Sequence, residues 1–223
     1  MNSAIIVAAG SGQRFGSELP KQFVPVCGKP LLLHTLARFA ECDAIDEIVL
    51  VLSEDGERLF AEMQADAARL IVVRGGKTRA ASVSNGLSAV DPNTEVVIVH
   101  DGARPLVTVG EITETVRTAE RTGAACLVAA VSDTIKSVRG NEIAATLDRT
   151  QLRRALTPQA FHAAVLRKAF ENAALDERVT DECYLVEKLG HPITIVEGSS
   201  RNIKITHPED ILFAEAVLAS GTI

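Results

Sequence analysis

Apolar runs alternate with helical periods over the first 130 residues of this chain. Ile5–Ala8 is a continuous apolar run that stops at glycine, which predicts a buried strand. Behind Pro30, residues Leu31, Leu32, Thr35, Leu36 and Phe39 recur at helical spacing and predict a helix to about Ala40. Glu47–Leu52 reads as the second strand. Ser53 is placed to cap a helix running to about Ala68, although Gly56 weakens its first turn. Leu70–Val73 is the third strand, and Thr78 caps a helix to Val90. Val96–His100 is the fourth. Thr108 with Glu111 has the spacing of a capping box for a helix to about Thr122, and Ala124–Val131 is the fifth strand. Strands separated by helices form βαβ units with right-handed crossovers. The expected class is therefore α/β, a Rossmann-like, mostly parallel sheet flanked by helices. Ligands of such sheets bind beyond the carboxyl ends of the strands, which directs attention to the loops after Ala8, Val73 and His100.

The pattern then changes. Thr134–Val138 and Glu142–Leu147 alternate around Arg139-Gly140-Asn141, which predicts a β-hairpin. Its faces are too polar to build a core, and an isolated hairpin is marginal in water. An arm over about residues 132–150 should therefore protrude and pack on something else, with a second subunit the natural candidate. Helices are expected at Phe161–Ala173 and Asp181–Leu189, strands at Ile193–Val196 and Ile203–Ile205, and a last helix at Pro208–Leu218, opened by Thr206 with Glu209 three residues on. No repeat or long linker interrupts the pattern, so residues 1–223 read as one domain carrying the arm.

Composition supports this picture. Aromatic residues are scarce (Phe 7, Tyr 1, Trp 0), so the core must be aliphatic, as buried parallel strands require. A net charge of −6 lacks the basic footprint of a nucleic-acid binder. The start, MNSAIIVAAG, reads as a strand rather than a signal peptide, and no apolar run approaches the roughly 18–20 residues of a membrane span, so a cytoplasmic protein is expected. The four cysteines lack CxxC spacing and read as free thiols, and the five histidines lack metal-ligand spacing, so no protein-built metal site is expected.

Candidate chemistry concentrates in the first loop, AAGSGQRFGSELPKQF, from Ala8 to Phe23. Ala8, Ala9, Gly10 and Gly12 let the backbone approach a ligand, and successive amides can form an anion-binding concavity. A dinucleotide-binding GxGxxG needs a helix opening at the loop, and Gly16-Ser17-Glu18-Leu19-Pro20 is a poor helix start. A Walker A loop fails as well. Gly76-Lys77-Thr78 matches its end, but Ile71 stands where its first glycine belongs. What remains is a phosphate loop edged by Arg14 and Lys21.

AAGxGxR followed by PKQ resembles the nucleotidylyltransferases that activate phosphorylated sugars and polyols. VHDGARP (Val99–Pro105), TPQAF (Thr157–Phe161), TDECYLVE (Thr180–Glu187) and NIKITHPEDI (Asn202–Ile211) narrow the resemblance to the 2-C-methyl-D-erythritol 4-phosphate cytidylyltransferase family, over nearly the whole chain. The resemblance implies transfer of CMP from CTP to methylerythritol phosphate with release of pyrophosphate. It implies that Arg14, Lys21 and Lys204 stabilise the charge developing at the α-phosphate, and that Mg²⁺ is held mainly by the triphosphate. It places the base and ribose at Ala8, Ala9, Gly76, Ser82, Asp101 and Gly102. The acceptor falls to Asp101, Arg104, Thr134, Arg149, Thr157 and Thr180, with Thr134 and Arg149 crossing on the arm into the partner's site of a homodimer. Lys77 departs from the family pattern, where an acidic residue is common. Cys183 and Tyr184 replace small residues and are expected at the rim of the acceptor site. Two other readings stay open. One is a ribitol 5-phosphate cytidylyltransferase, whose first loop resembles GGxGSR instead. The other is a catalytically silent nucleotide-binding protein of the same fold.

Overall fold

The computed structural model describes residues 1–10, 15–16, 19–63, 70–171 and 173–221. Strand β1 (Asn2–Ala8) is followed by a one-turn 3-10 helix at Lys21–Phe23 and a two-residue ribbon, β2 (Pro25–Val26) and β3 (Lys29–Pro30). That ribbon was not anticipated; Cys27 and Gly28 turn it at positive φ. Helix α1 (Leu31–Ala40) then opens behind Pro30, as expected. Next come β4 (Glu47–Leu52), α2 (Glu54–Glu62), β5 (Leu70–Arg74), α3 (Arg79–Ala89), β6 (Val96–Asp101), α4 (Val109–Thr122) and β7 (Ala124–Ala130). The predicted caps form: Ser53 Oγ accepts from the Gly56 amide, Thr78 from the Ala81 amide, and Thr108 with Glu111 closes a capping box. Helix α2 closes at Met63, short of Ala68, and the rest of its predicted span lies outside the described residues.

The arm is β8 (Lys136–Arg139) and β9 (Glu142–Thr146), a separate two-stranded ribbon. The chain returns through β10 (Arg153–His162), α5 (Ala163–Glu171), α6 (Glu182–Lys188), β11 (Thr194–Glu197) and α7 (Glu209–Ala219). The central sheet has the order β11-β7-β10-β6-β1-β4-β5, with β10 antiparallel to both neighbours and the other pairs parallel. Strand alternation divides the core between the two faces. Ile6, Leu50, Ile98 and Leu127 pack under α1, α2 and α4, while Ile5, Val49, Val97 and Cys126 pack under α3, α5 and α6.

Three expectations need correction. Phe161 ends a strand rather than starting a helix: β10 fills the gap between β6 and β7, and Pro158 sits where the register shifts, so it interrupts no ladder bond. Ile203–Ile205 is not a strand. The edge of β6 it would need is taken by β10, so it crosses the strand ends, tied by the Ile205 amide to the Ala103 carbonyl at 2.9 Å. Thr206 does not cap the last helix. Its hydroxyl donates to the Lys204 carbonyl, and Asp210 accepts from the Thr206 and His207 amides instead.

Candidate active site

The chain leaves β1 for β4 on one side and later returns to β6 on the other. A cleft of about 710 Å³ opens beyond the carboxyl ends at that switch point. It gathers Ala8, Ala9, Gly10, Lys21, Gly76, Ser82, Asp101 and Lys204, eight of the residues predicted from sequence. Gly12 and Arg14 lie outside the described residues. Gly102 packs behind the wall, where an added Cβ would stand 2.9 Å from that of Ala8. Ser82 is buried, accepting from the Gly76 amide at 3.0 Å and donating to the Thr78 carbonyl at 2.9 Å, so it moulds the loop beside it. Gln22, to which the sequence assigned no role, ties the start of the first loop to the Lys21–Phe23 turn: its buried amide donates to the Ala8 and Gly10 carbonyls at 2.6 and 3.2 Å. The ammonium of Lys21 reaches the Ile205 carbonyl at 2.8 Å, joining the first loop to the late NIK segment.

Asp101 is the electrostatic centre. Its carboxylate takes Lys204 Nζ at 3.0 Å, Arg79 Nε at 3.1 Å and Arg104 Nε at 3.3 Å. Burial pushes its carboxyl up, but Arg79, Lys204 and Arg104 outweigh that and hold it well below the ordinary carboxylate range. Arg79, unassigned by the sequence reading, also forks onto the fully buried Glu182 through two bonds of 2.7 and 3.1 Å. Burial works against its charge, yet Glu182 and Asp101 leave it more firmly protonated than usual, while burial raises Glu182 against the pull of Arg79.

A hydrogen-bond chain sets the protonation of His100. The Asp101 amide donates to Thr157 Oγ1 at 3.1 Å, and that hydroxyl donates to His100 Nδ1 at 3.0 Å. Nε2–H of His100 then donates to the Arg104 carbonyl at 3.2 Å, which fixes the neutral Nε2–H tautomer. Burial pushes this imidazole down to about 3. Thr157 thus has its hydroxyl committed to holding Asp101, and Arg104 is buried, bridging Asp101 and the Asn202 carbonyl. Thr180 is exposed just ahead of α6. Thr134 and Arg149 stand exposed at the root of the arm, where the Arg149 guanidinium donates to the Ser132 carbonyl; neither lines the cleft.

Gln159 was also missed. Buried on β10, it accepts from the Glu182 and Cys183 amides and donates to Asp181, so it anchors the start of α6. Cys183 is not at a rim. It is buried in the core against Cys126, and that contact together with burial raises its thiol far above the ordinary range. Among the described residues no cluster of three or more His, Cys, Asp or Glu side chains could hold a metal ion.

Residues 2–220 match the family model described as 2-C-methyl-D-erythritol 4-phosphate cytidylyltransferase. A protein of that name from Syntrophus aciditrophicus is 40% identical over 222 residues, covering 96% of this chain and 94% of its own length. One from Halalkalibacterium halodurans is 42% identical, covering 97% and 96%. The crystal structure of 4-diphosphocytidyl-2C-methyl-D-erythritol synthase from Anaerococcus prevotii superposes with a TM-score of 0.87 at 33% identity, covering 98% of this chain and 96% of that one.

Proposed function

The chain belongs to the 2-C-methyl-D-erythritol 4-phosphate cytidylyltransferase family, and on that premise we propose how its residues divide the reaction. The enzyme transfers CMP from CTP to 2-C-methyl-D-erythritol 4-phosphate, giving 4-diphosphocytidyl-2-C-methyl-D-erythritol and pyrophosphate in the non-mevalonate isoprenoid pathway. A phosphate oxygen of the acceptor bonds to the α-phosphorus of CTP as the bridge from that phosphorus to the β-phosphate breaks. Positioning and charge stabilisation carry such a step. The observation that best supports this division is that Lys21 and Lys204, from opposite ends of the chain, meet the glycine-rich loop in one cleft.

In this reading Lys21 and Lys204 exchange their protein oxygens for the α-phosphate and the departing pyrophosphate. Arg14 joins them by family resemblance. The backbone around Ala8, Ala9 and Gly76 reads the cytosine edge, with Ser82 fixing the Gly76 amide. Asp101 faces the ribose and acceptor, Gly102 lets the strand end carrying it pack closely against Ala8, and Arg104 and Thr157 hold Asp101 from behind. Among the described residues the cleft offers cations and one carboxylate, Asp101, already compensated by Arg79, Arg104 and Lys204. That donor set fits Mg²⁺ carried in by the triphosphate, where it would offset phosphate charge.

Thr180 borders the acceptor, and Thr134 and Arg149 of a second copy complete its site. Supporting this homodimer, Val138 and Ile143 on the arm are each 67% exposed, apolar surface that a partner would cover. No helix among the described residues is long and apolar enough to cross a membrane. The cytoplasm is the compartment in which Cys27, Cys42, Cys126 and Cys183 would stay reduced. Pyrophosphate release from CTP, measured with methylerythritol phosphate and with ribitol 5-phosphate, tests the assignment. Faster turnover on ribitol 5-phosphate, or none on either, would overturn it.

A further inference from the structure

The cluster around Asp101 has a charge balance that bears on Lys204. Asp101 and Glu182 carry two negative charges, and Arg79, Arg104 and Lys204 carry three positive ones. The side chains of Glu182, Asp101, Arg104 and Arg79 are 0, 8, 11 and 21% exposed, and that of Lys204 is 38% exposed. Removing the outermost cation therefore leaves a buried quartet that is neutral and still bonded throughout. Every link in it is anchored separately. Arg79 sits at the start of α3 behind the Thr78 cap, Glu182 opens α6 under the Gln159 clamp, and Arg104 is held by the Asn202 carbonyl.

We propose that Arg79 and Glu182 form a positioning pair. It keeps Asp101 ionised and in place so that Lys204, the spare charge of the cluster, can leave for the nucleotide phosphate without exposing an unpaired buried carboxylate. The physical need is plain. Breaking one partner out of a buried ion pair is costly because the remaining charge is uncompensated. A partly exposed cation whose departure leaves the inner charges balanced costs little. Asp101 with Arg104 alone would be tethered from one side only, by a residue three positions along the same loop. Arg79 supplies the opposing tether, and Glu182 fixes the direction of that guanidinium by taking two of its N–H groups. The pair also ties the loop beside Gly76 to the segment bearing Thr180, so both substrate halves share one rigid post.

This inference rests on the phosphate role assigned to Lys204 above, and the experiment separates the two. Arg79→Met with Glu182→Leu removes one charge of each sign and fills the space with apolar groups, a replacement that buried ion pairs commonly tolerate without loss of stability. Glu182→Gln, which keeps the shape and loosens the fork, is made in parallel in case the double change fails to fold. Each is measured with and without Lys204→Ala, reading kcat and both KM values in the full enzyme. In the parent background Lys204→Ala should lower kcat roughly 100- to 1,000-fold. The positioning variants should lower kcat by about 10- to 100-fold. In their background Lys204→Ala should cost distinctly less, because contacts acting as one unit are not additive. A purely structural pair would leave the Lys204 effect undiminished. If the two losses multiply in full, or if the positioning variants turn over at the parent rate, the proposal fails. If Lys204→Ala leaves kcat unchanged in the parent, the phosphate role of Lys204 fails first.

Discussion

His100 gives the most quantitative test of the structure, because its burial ties folding to pH. The imidazole is fully buried, lies 4.9 Å from the Phe39 ring between centroids, and is locked neutral by Thr157 and the Arg104 carbonyl. Its folded value of about 3 lies below the 6.5 of a free imidazole, so the unfolded chain binds this proton first. The stabilisation is therefore complete above pH 6.5 and is lost as pH falls, at up to about 1.4 kcal/mol per pH unit, until the folded site titrates near 3. From pH 8 to pH 5 that amounts to about 2 kcal/mol from this one side chain. Asp101 acts with the same sign, since its folded value is depressed. Its loss begins only below the ordinary carboxylate value of 3.8, outside this window. Glu182, whose folded value is raised, acts with the opposite sign, so urea unfolding at fixed protein concentration, at pH 5, 6, 7 and 8, compares the parent with a variant that keeps Glu182. His100→Gln retains an amide N–H for the Arg104 carbonyl but nothing that titrates in this range. It should be less stable at pH 8 through lost packing, yet lose about 2 kcal/mol less than the parent on going to pH 5. Parallel pH curves for the two proteins would refute the burial and tautomer assigned to His100.

Further outcomes follow from the same geometry. Lys21→Ala should unfold like the parent in urea but lower kcat roughly 100- to 1,000-fold, and a near-parental rate of pyrophosphate release would remove Lys21 from the transition state. Thr108→Ala breaks the capping box of α4 and should cost about 1 kcal/mol in a urea melt while leaving KM for CTP unchanged. Val138→Asp with Ile143→Asp places charges on one exposed face of the arm. Sedimentation should then show monomer, with turnover lost through the acceptor while CTP binding survives; a dimer of unchanged affinity would mean the arm is not the interface.

The parallel part of the sheet was legible because its physics is local. β1, β4, β6 and β7 are each built around an unbroken apolar run, and α2, α3 and α4 start at side chains that cap them in the structure. That Ala8, Ala9, Gly10 and Lys21 border one cleft was legible for the same reason, since they are close in sequence. Strand β10 was not. Its central residues Thr157, Pro158 and Gln159 break apolar alternation, and a proline reads against a central strand. Arg79 and Glu182 escaped because they stand 103 positions apart and no short spacing announces their pairing. Cys183 was misplaced because its motif identified a neighbourhood without saying which face of α6 turns inward.

The misses at β10, Arg79 and Glu182 share a physical origin. A strand that only filled the sheet would carry apolar residues throughout, yet β10 places Thr157 and Gln159 in the core. Each uses its hydrogen-bonding groups on a neighbour that serves Asp101: Thr157 on the Asp101 amide, Gln159 on the amides that open α6 and so orient Glu182 toward Arg79. Buried polar groups cost free energy unless fully satisfied, and a satisfied lattice is rigid. The positions at which apolar patterning fails are thus the ones that fix the site's carboxylate. The antiparallel strand reaches them because it runs between β6, which ends in Asp101, and β7. Local rules give way where a site must be held in place, and here they give way on every side of one aspartate.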